Sequence, residues 1–170
     1  MVRSYQGAMS RRTMVLAGAA AFVLPAAAKA QGDPILTLVL PNGQRVEFSD
    51  ADIAGMQWAA LATHTAWTEG LQHFRGPLLA DVLSPIAGAP IDLALRNLTM
   101  TALNDFVVDV PASDAWTFRP LLAREANGRP MRVRDKGPLW LVYPRDETPA
   151  LQNPLMDERW IWQIRQIEIR

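Results

Sequence analysis

The stretch PLWLVYP, residues 138 to 144, is apolar at every position between its two prolines. Successive residues of a strand point to opposite faces, so a strand apolar on both faces has to be covered on both. Proline cannot donate to a strand ladder, which makes Pro138 and Pro144 natural ends for such a strand. Whatever else the chain forms, it must bring packed layers to both sides of residues 139 to 143.

The cover comes from burial alone. The chain has no cysteine, which removes disulfides, thiolate metal ligands and a thiol nucleophile, while its six tryptophans offer large apolar area. Residues 1 to 30 carry Arg3, Arg11, Arg12 and Lys29 and no acid, an apolar run from Met14 to Ala28, and the small-x-small triplet Ala28-Lys29-Ala30. This is the pattern of a cleavable export signal, with an alanine-rich apolar run too short for a membrane span of about 20 residues. The paired arginines of Ser10-Arg11-Arg12 fit a twin-arginine route as well as the general secretory one. The expectation is an exported, periplasmic protein. Cleavage takes 30 of the 170 residues and leaves 140, a single domain over 31–170, with 13 basic against 17 acidic residues and a net charge of −4. The dispersed charges give no footprint for nucleic acid, and the mature chain offers no stable membrane insertion.

Along the mature part, Ile35–Leu40 and Arg45–Phe48 flank Pro41-Asn42-Gly43 and predict a hairpin. Ser49 and Asp50 can cap a helix running from about Ala51 to Trp58. Leu78, Leu79, Val82 and Leu83 recur at helical spacing after Gly76-Pro77 and predict a short buried helix ending before Gly88. In LRNLTMTALNDFVVDVP, residues 95 to 111, two alternating runs surround Asn104-Asp105. That pair suits a tight hairpin turn, or two side chains aimed into a site. In RWIWQIRQIEIR, residues 159 to 170, the apolar phase flips near Arg165-Gln166, which predicts a bulge or a strand crossing between two packing environments. Together these signals predict a strand-rich α+β or mostly-β domain.

The segments FRGPLLADVL, LTMTALNDFVVDVP, LLAREANGRPMRVRDKGPLWLVYP and RWIWQIRQIEIR, taken in order, resemble the molybdopterin-binding domain of the sulfite-oxidase type. The wording of NDFVVDVP and DKGPLWLVYP is similar to a subgroup of small exported proteins with that fold and no established activity. The resemblance implies an α+β fold of mixed sheets with a few short helices, a molybdopterin cofactor and oxidoreductase chemistry. It also implies that Phe74-Arg75-Gly76 is the corner before the short helix, and that HTAWTEG, residues 64 to 70, lies where active relatives carry their metal-binding cysteine. Two departures bear on function. No cysteine exists to ligate molybdenum, and Trp140 stands near the position where active members commonly place a cofactor-contacting arginine. The expectation is therefore a family fold without sulfite-oxidase chemistry, the alternative being a module that binds a small ligand or docks on a membrane signalling protein.

The candidate pocket residues are His64, Trp67, His73, Arg75, Asn104, Asp105, Arg134 and Lys136, with His64, Trp67, Asn104 and Lys136 expected to converge. Arg75, Arg124, Arg132, Arg134 and Lys136 sit near the motif turns and could hold an anion, or form a solvated surface. The charged turn Arg134-Asp135-Lys136-Gly137 feeds directly into the apolar strand and is placed to reach over a pocket mouth. His64, His73 and Glu69 could meet around a metal, although the nine-residue separation of the histidines fits no helical ligand pair. Trp67 and Trp160 suit either ligand stacking or core packing. Ser84 or Ser113 with His64 and Asp105 supplies the residue types of a hydrolase, but no nucleophile-elbow sequence presents either serine.

Overall fold

The computed structural model describes residues 32–87 and 90–170. The export signal expected over residues 1–30 and the side chain of Ser84 lie outside the described residues.

The first hairpin forms as its turn residues dictate. Strand β1 (Pro34–Val39) pairs antiparallel with β2 (Arg45–Ser49), and Leu36 and Leu38 are fully buried on one face. Ser49 then caps helix α1 (Asp50–Gly55) through a reciprocal capping box. The Asp52 amide donates to Ser49 Oγ at 3.2 Å, and the Ser49 amide donates to Asp52 Oδ2 at 2.7 Å. These bonds from the Ser49 hydroxyl and backbone hold the Asp52 carboxyl below its usual range. The helix stops at Gly55, short of the Trp58 expected from sequence. The Trp58 indole N–H instead donates to the Ile53 carbonyl at 2.8 Å, which also accepts the Met56 amide at 3.3 Å, closing the last turn. Trp58 thereby opens strand β3 (Trp58–Thr63), which pairs with β4 (Gln72–Pro77).

Strand β4 corrects a second expectation. His73, Phe74, Arg75 and Gly76 lie within its ladder rather than at a corner. Gly76 is nonetheless required: a Cβ there would run into the Leu122 carbonyl and the Ala123 backbone of strand β7 (Leu121–Ala123). The predicted short helix follows as α2 (Leu79–Ala87), which buries Leu79, Val82 and Leu83, and α3 (Pro90–Ala94) comes next.

The hairpin over 97–111 is formed by β5 (Asn97–Ala102) and β6 (Val107–Pro111). Helix α4 (Asp114–Thr117) leads through β7 to the short β8 (Glu125–Ala126) and β9 (Arg129–Pro130). A 3-10 turn (Val133–Asp135) precedes β10 (Trp140–Val142), and a second 3-10 turn and helix α5 (Pro154–Asp157) precede β11 (Ile164–Ile169).

Three sheets result. The largest has order β2-β1-β11-β5-β6, with β1 parallel to β11 and the other pairs antiparallel. A four-stranded sheet runs β3-β4-β8-β9, and β10 pairs with β7. The architecture is α+β, strand-rich, with mixed sheets and a few short helices. Every residue from Leu139 to Pro144 is buried, as the doubly apolar strand requires, and the facing strand β7 is buried along its whole length. The phase flip near Arg165 is a register shift between Ile164 and Gln166, where β11 pairs with β5. No helix among the described residues is long and apolar enough to cross a membrane.

Candidate functional site

The loop between β3 and β4 is shaped by its own hydroxyls. Thr65 Oγ1 accepts the Trp67 amide at 3.1 Å and lies 2.7 Å from Thr68 Oγ1, a side-chain turn that fixes the backbone under Trp67. The Trp67 ring is thereby set against the segment entering β11. Its centroid is 5.4 Å from Trp160 and 5.6 Å from Trp162, the latter edge-to-face. Trp140 of β10 lies 6.1 Å from both of those rings and 5.2 Å from Phe74, and Tyr143 lies 6.0 Å from Trp160. Edge-to-face pairs of this kind contribute about 0.5–1.5 kcal/mol each beyond burial. The sequence choice between stacking and core packing resolves differently for the two rings. Trp160 is a core residue that also lines a groove, whereas Trp67 keeps 37% of its surface exposed.

The groove has a volume of about 580 Å³. Trp67, Trp160 and Trp162 line it together with Phe106 and the first residues of β6, and the α5 segment from Leu155 to Arg159 closes the other side. Strand β6 is an outer strand of its sheet, so this wall ends in solvent. Phe106, Val107 and Leu155 are 56%, 50% and 74% exposed, an apolar rim that the fold leaves uncovered.

One wall is anchored in the interior. Arg159 Nη1 lies 2.9 and 2.7 Å from the two carboxylate oxygens of the buried Asp114, and the Tyr143 hydroxyl donates to Asp114 Oδ2 at 2.9 Å. Burial, followed by the Asp114 charge and the hydrogen bond to it, pushes the Tyr143 hydroxyl well above its usual pKa, so it stays a neutral donor. Neighbouring Asp157 pairs with Arg145 at 3.1 Å.

The expected site residues divide. Lys136 has the left-handed backbone (φ 72°) that ends the 3-10 turn, and its Nζ stands 4.3 Å from the Trp162 centroid and 5.6 Å from that of Trp140. Trp67 and Lys136 thus both pack against Trp162, although Lys136 does not line the groove. Asn104 and Asp105 make the hairpin turn. Asn104 Oδ1 accepts the Phe106 amide at 3.2 Å, and Asp105 takes φ 63° with its carboxylate paired to Arg165. Their contribution is to carry Phe106 to the groove rim.

His64 faces elsewhere. Its Nδ1 lies 2.7 Å from Asp146 Oδ2, and its backbone amide donates to the same oxygen at 2.9 Å. Partial burial alone would raise the Asp146 pKa, but the hydrogen bonds and charge of His64 outweigh it and hold the carboxyl below its usual range. His64 therefore engages Asp146 and not Asp105, which leaves the Ser-His-Asp constellation considered from sequence unformed. His73 sits on β4, where its amide donates to Asn127 Oδ1 at 3.0 Å. Among the described residues no group of three histidine, aspartate or glutamate side chains is placed to hold a metal.

Arg75 pairs with Glu125 at 3.2 Å and covers the Trp58 ring at 5.6 Å. Arg124 pairs with Asp50, Arg132 with Asp135 at 2.8 Å, and Arg134 projects with Asp135 Oδ1 at 3.8 Å. A second hollow of about 870 Å³ lies beside that turn and includes Arg129, Arg132 and Asp135 but not Arg134; Arg132 and Asp135 neutralise each other, and Arg129 forms no ion pair among the described residues.

The residues do not fit a molybdopterin redox centre. A thiolate is absent from the chain, and the indole at Trp140 is buried among Phe74, Trp160 and Trp162. Gly137, next to that strand, is held by packing, since a Cβ would meet the Met131 backbone. Sequence reasoning missed Phe106, Asp114, Tyr143, Arg159 and Trp162 as parts of the site. Only the dense Asp157-Glu158-Arg159 run directly before Trp160 could have signalled it.

No protein-family model matches the chain, and no curated protein sequence matches it.

Proposed function

We propose that this chain is an exported ligand-binding member of the sulfite-oxidase-type molybdopterin-binding fold that does not carry out molybdenum redox chemistry, and that its ligand sits in the Trp67–Trp162 groove. The observation carrying this reading is Trp67 itself: a large aromatic ring held by a dedicated hydroxyl turn, half in the aromatic cluster and half exposed in a concave site. Such a ring is well suited to stacking on a bound molecule. The missing thiolate argues against the redox reading. A second reading, docking on the outer domain of a membrane signalling protein through the same face, is favoured by the exposed Phe106, Val107 and Leu155.

The test is elemental analysis of the mature protein purified from its native compartment, with mass spectrometry of released small molecules. The expected result is no stoichiometric molybdenum or pterin, and a released small molecule whose rebinding changes tryptophan fluorescence in the wild type but not in Trp67→Ala. Stoichiometric molybdenum or pterin overturns the proposal.

A further inference from the structure

The groove carries charge of one sign that is not spent inside the protein. Its ionisable lining consists of Asp109, Asp157, Glu158 and Arg159. Arg159 is committed to Asp114 at 2.7 Å and Asp157 to Arg145 at 3.1 Å. The remaining two are both carboxylates. Among the described residues the Asp109 carboxylate accepts only the Thr99 hydroxyl, at 2.6 Å, and Glu158 forms no ion pair. Arg170 feels the charge of Asp109, but its guanidinium is bonded to Glu168 at 3.1 and 3.2 Å.

The aromatic rings add to this bias. An indole or phenyl face carries negative quadrupolar charge, so a cation gains where an anion loses. Trp162 already shows the preference, since Lys136 Nζ stands against it at 4.3 Å, yet Lys136 itself does not line the groove. A neutral ligand would cover two carboxylates without compensating them, and an anion would face both of them and the rings together. An apolar body matched to Phe106 and Leu155, with a positive head directed to Asp109 and Glu158, meets both the apolar lining and its unpaired charge.

We propose that the groove takes a small organic cation, a substituted ammonium with an apolar or aromatic body, held by Trp67 and Trp162 and neutralised by Asp109 and Glu158. This rests on the ligand-binding reading above and names its ligand class. The experiment titrates the full mature protein with benzyltrimethylammonium, benzyl alcohol and benzenesulfonate, followed by tryptophan fluorescence and by NMR of the indole N–H signals. The expected result is that the cation binds about tenfold more tightly than the alcohol, with the sulfonate weakest. In the double variant Asp109→Asn, Glu158→Gln, both positions being exposed, that preference falls by about tenfold, through weaker binding of the cation, while the melting temperature stays unchanged. Equal or stronger binding of the alcohol or sulfonate, or a preference that persists in the double variant, overturns the cation assignment but leaves a ligand-binding groove. No response to any of the three probes overturns both.

Discussion

The groove at Trp67 and the corner around His64 share the connection between β3 and β4, the two residues standing three positions apart, yet they differ in what they leave available. At the corner the valences are spent internally: Asp146 Oδ2 takes both the ring and the backbone of His64, and the Asp146 amide is bound by Thr63 Oγ1 at 3.2 Å. The groove keeps an exposed indole, an apolar rim and two carboxylates that form no ion pair among the described residues. A histidine beside an acid draws attention in a sequence. In three dimensions it is the region with unspent capacity, not the one with the most reactive residue types, that can bind something else.

The sharpest way to break the comparison is to cut the groove from the core. Asp114→Ala would leave Arg159 and the Tyr143 hydroxyl without their buried partner, at a cost of about 3–5 kcal/mol in stability, and would displace the Arg159 wall. Chemical denaturation together with the benzyltrimethylammonium titration measures both effects. Retained stability would mean that the Asp114 network does not organise the groove. A smaller loss, about 1–3 kcal/mol, is expected for Gly137→Ala, because the new methyl meets the Met131 backbone and forces the Lys136 turn to move. The indole signals of Trp140 and Trp162, which Lys136 touches, should shift in that variant.

The smallest effect belongs to the corner. Asp146→Asn should cost no more than about 1 kcal/mol near neutral pH, since solvent screens this half-exposed pair, and ligand affinity in the groove should not change. The sign of the pH dependence follows from the lowered Asp146 pKa. Its contribution is present above the unfolded carboxylate value of about 3.9 and disappears as pH falls through the lower folded value, so wild type and variant should converge in acid. Altered groove affinity in Asp146→Asn would show that the two regions are coupled after all.

Much of the scaffold was legible because short-range chemistry decides it. The hairpin turns at Pro41-Asn42-Gly43 and Asn104-Asp105, the Ser49 cap, the buried strand at 139 to 143 and the bulge near Arg165 all formed where their residues demand. The misplaced pieces are those whose partner lies elsewhere. WAALAT, residues 58 to 63, has no strand signature of its own and becomes a strand because β4 pairs with it. Phe74-Arg75-Gly76 reads as a corner but extends β4, with Gly76 demanded by the backbone of β7.

The site divides along the same line. Sequence alone determined the absence of any thiolate ligand, the doubly covered strand, and the presence of Trp67 as a ring suited to stacking. Only the tertiary structure decided that His64 turns to Asp146, that Asp114 is buried with Arg159 and Tyr143, and that Phe106 joins Trp67, Trp160 and Trp162, all remote from it in sequence, on one groove. Turns, caps and alternation are settled by neighbours a few residues apart. Which charges are neutralised, and which remain free, depends on strands that meet only after the sheets have packed.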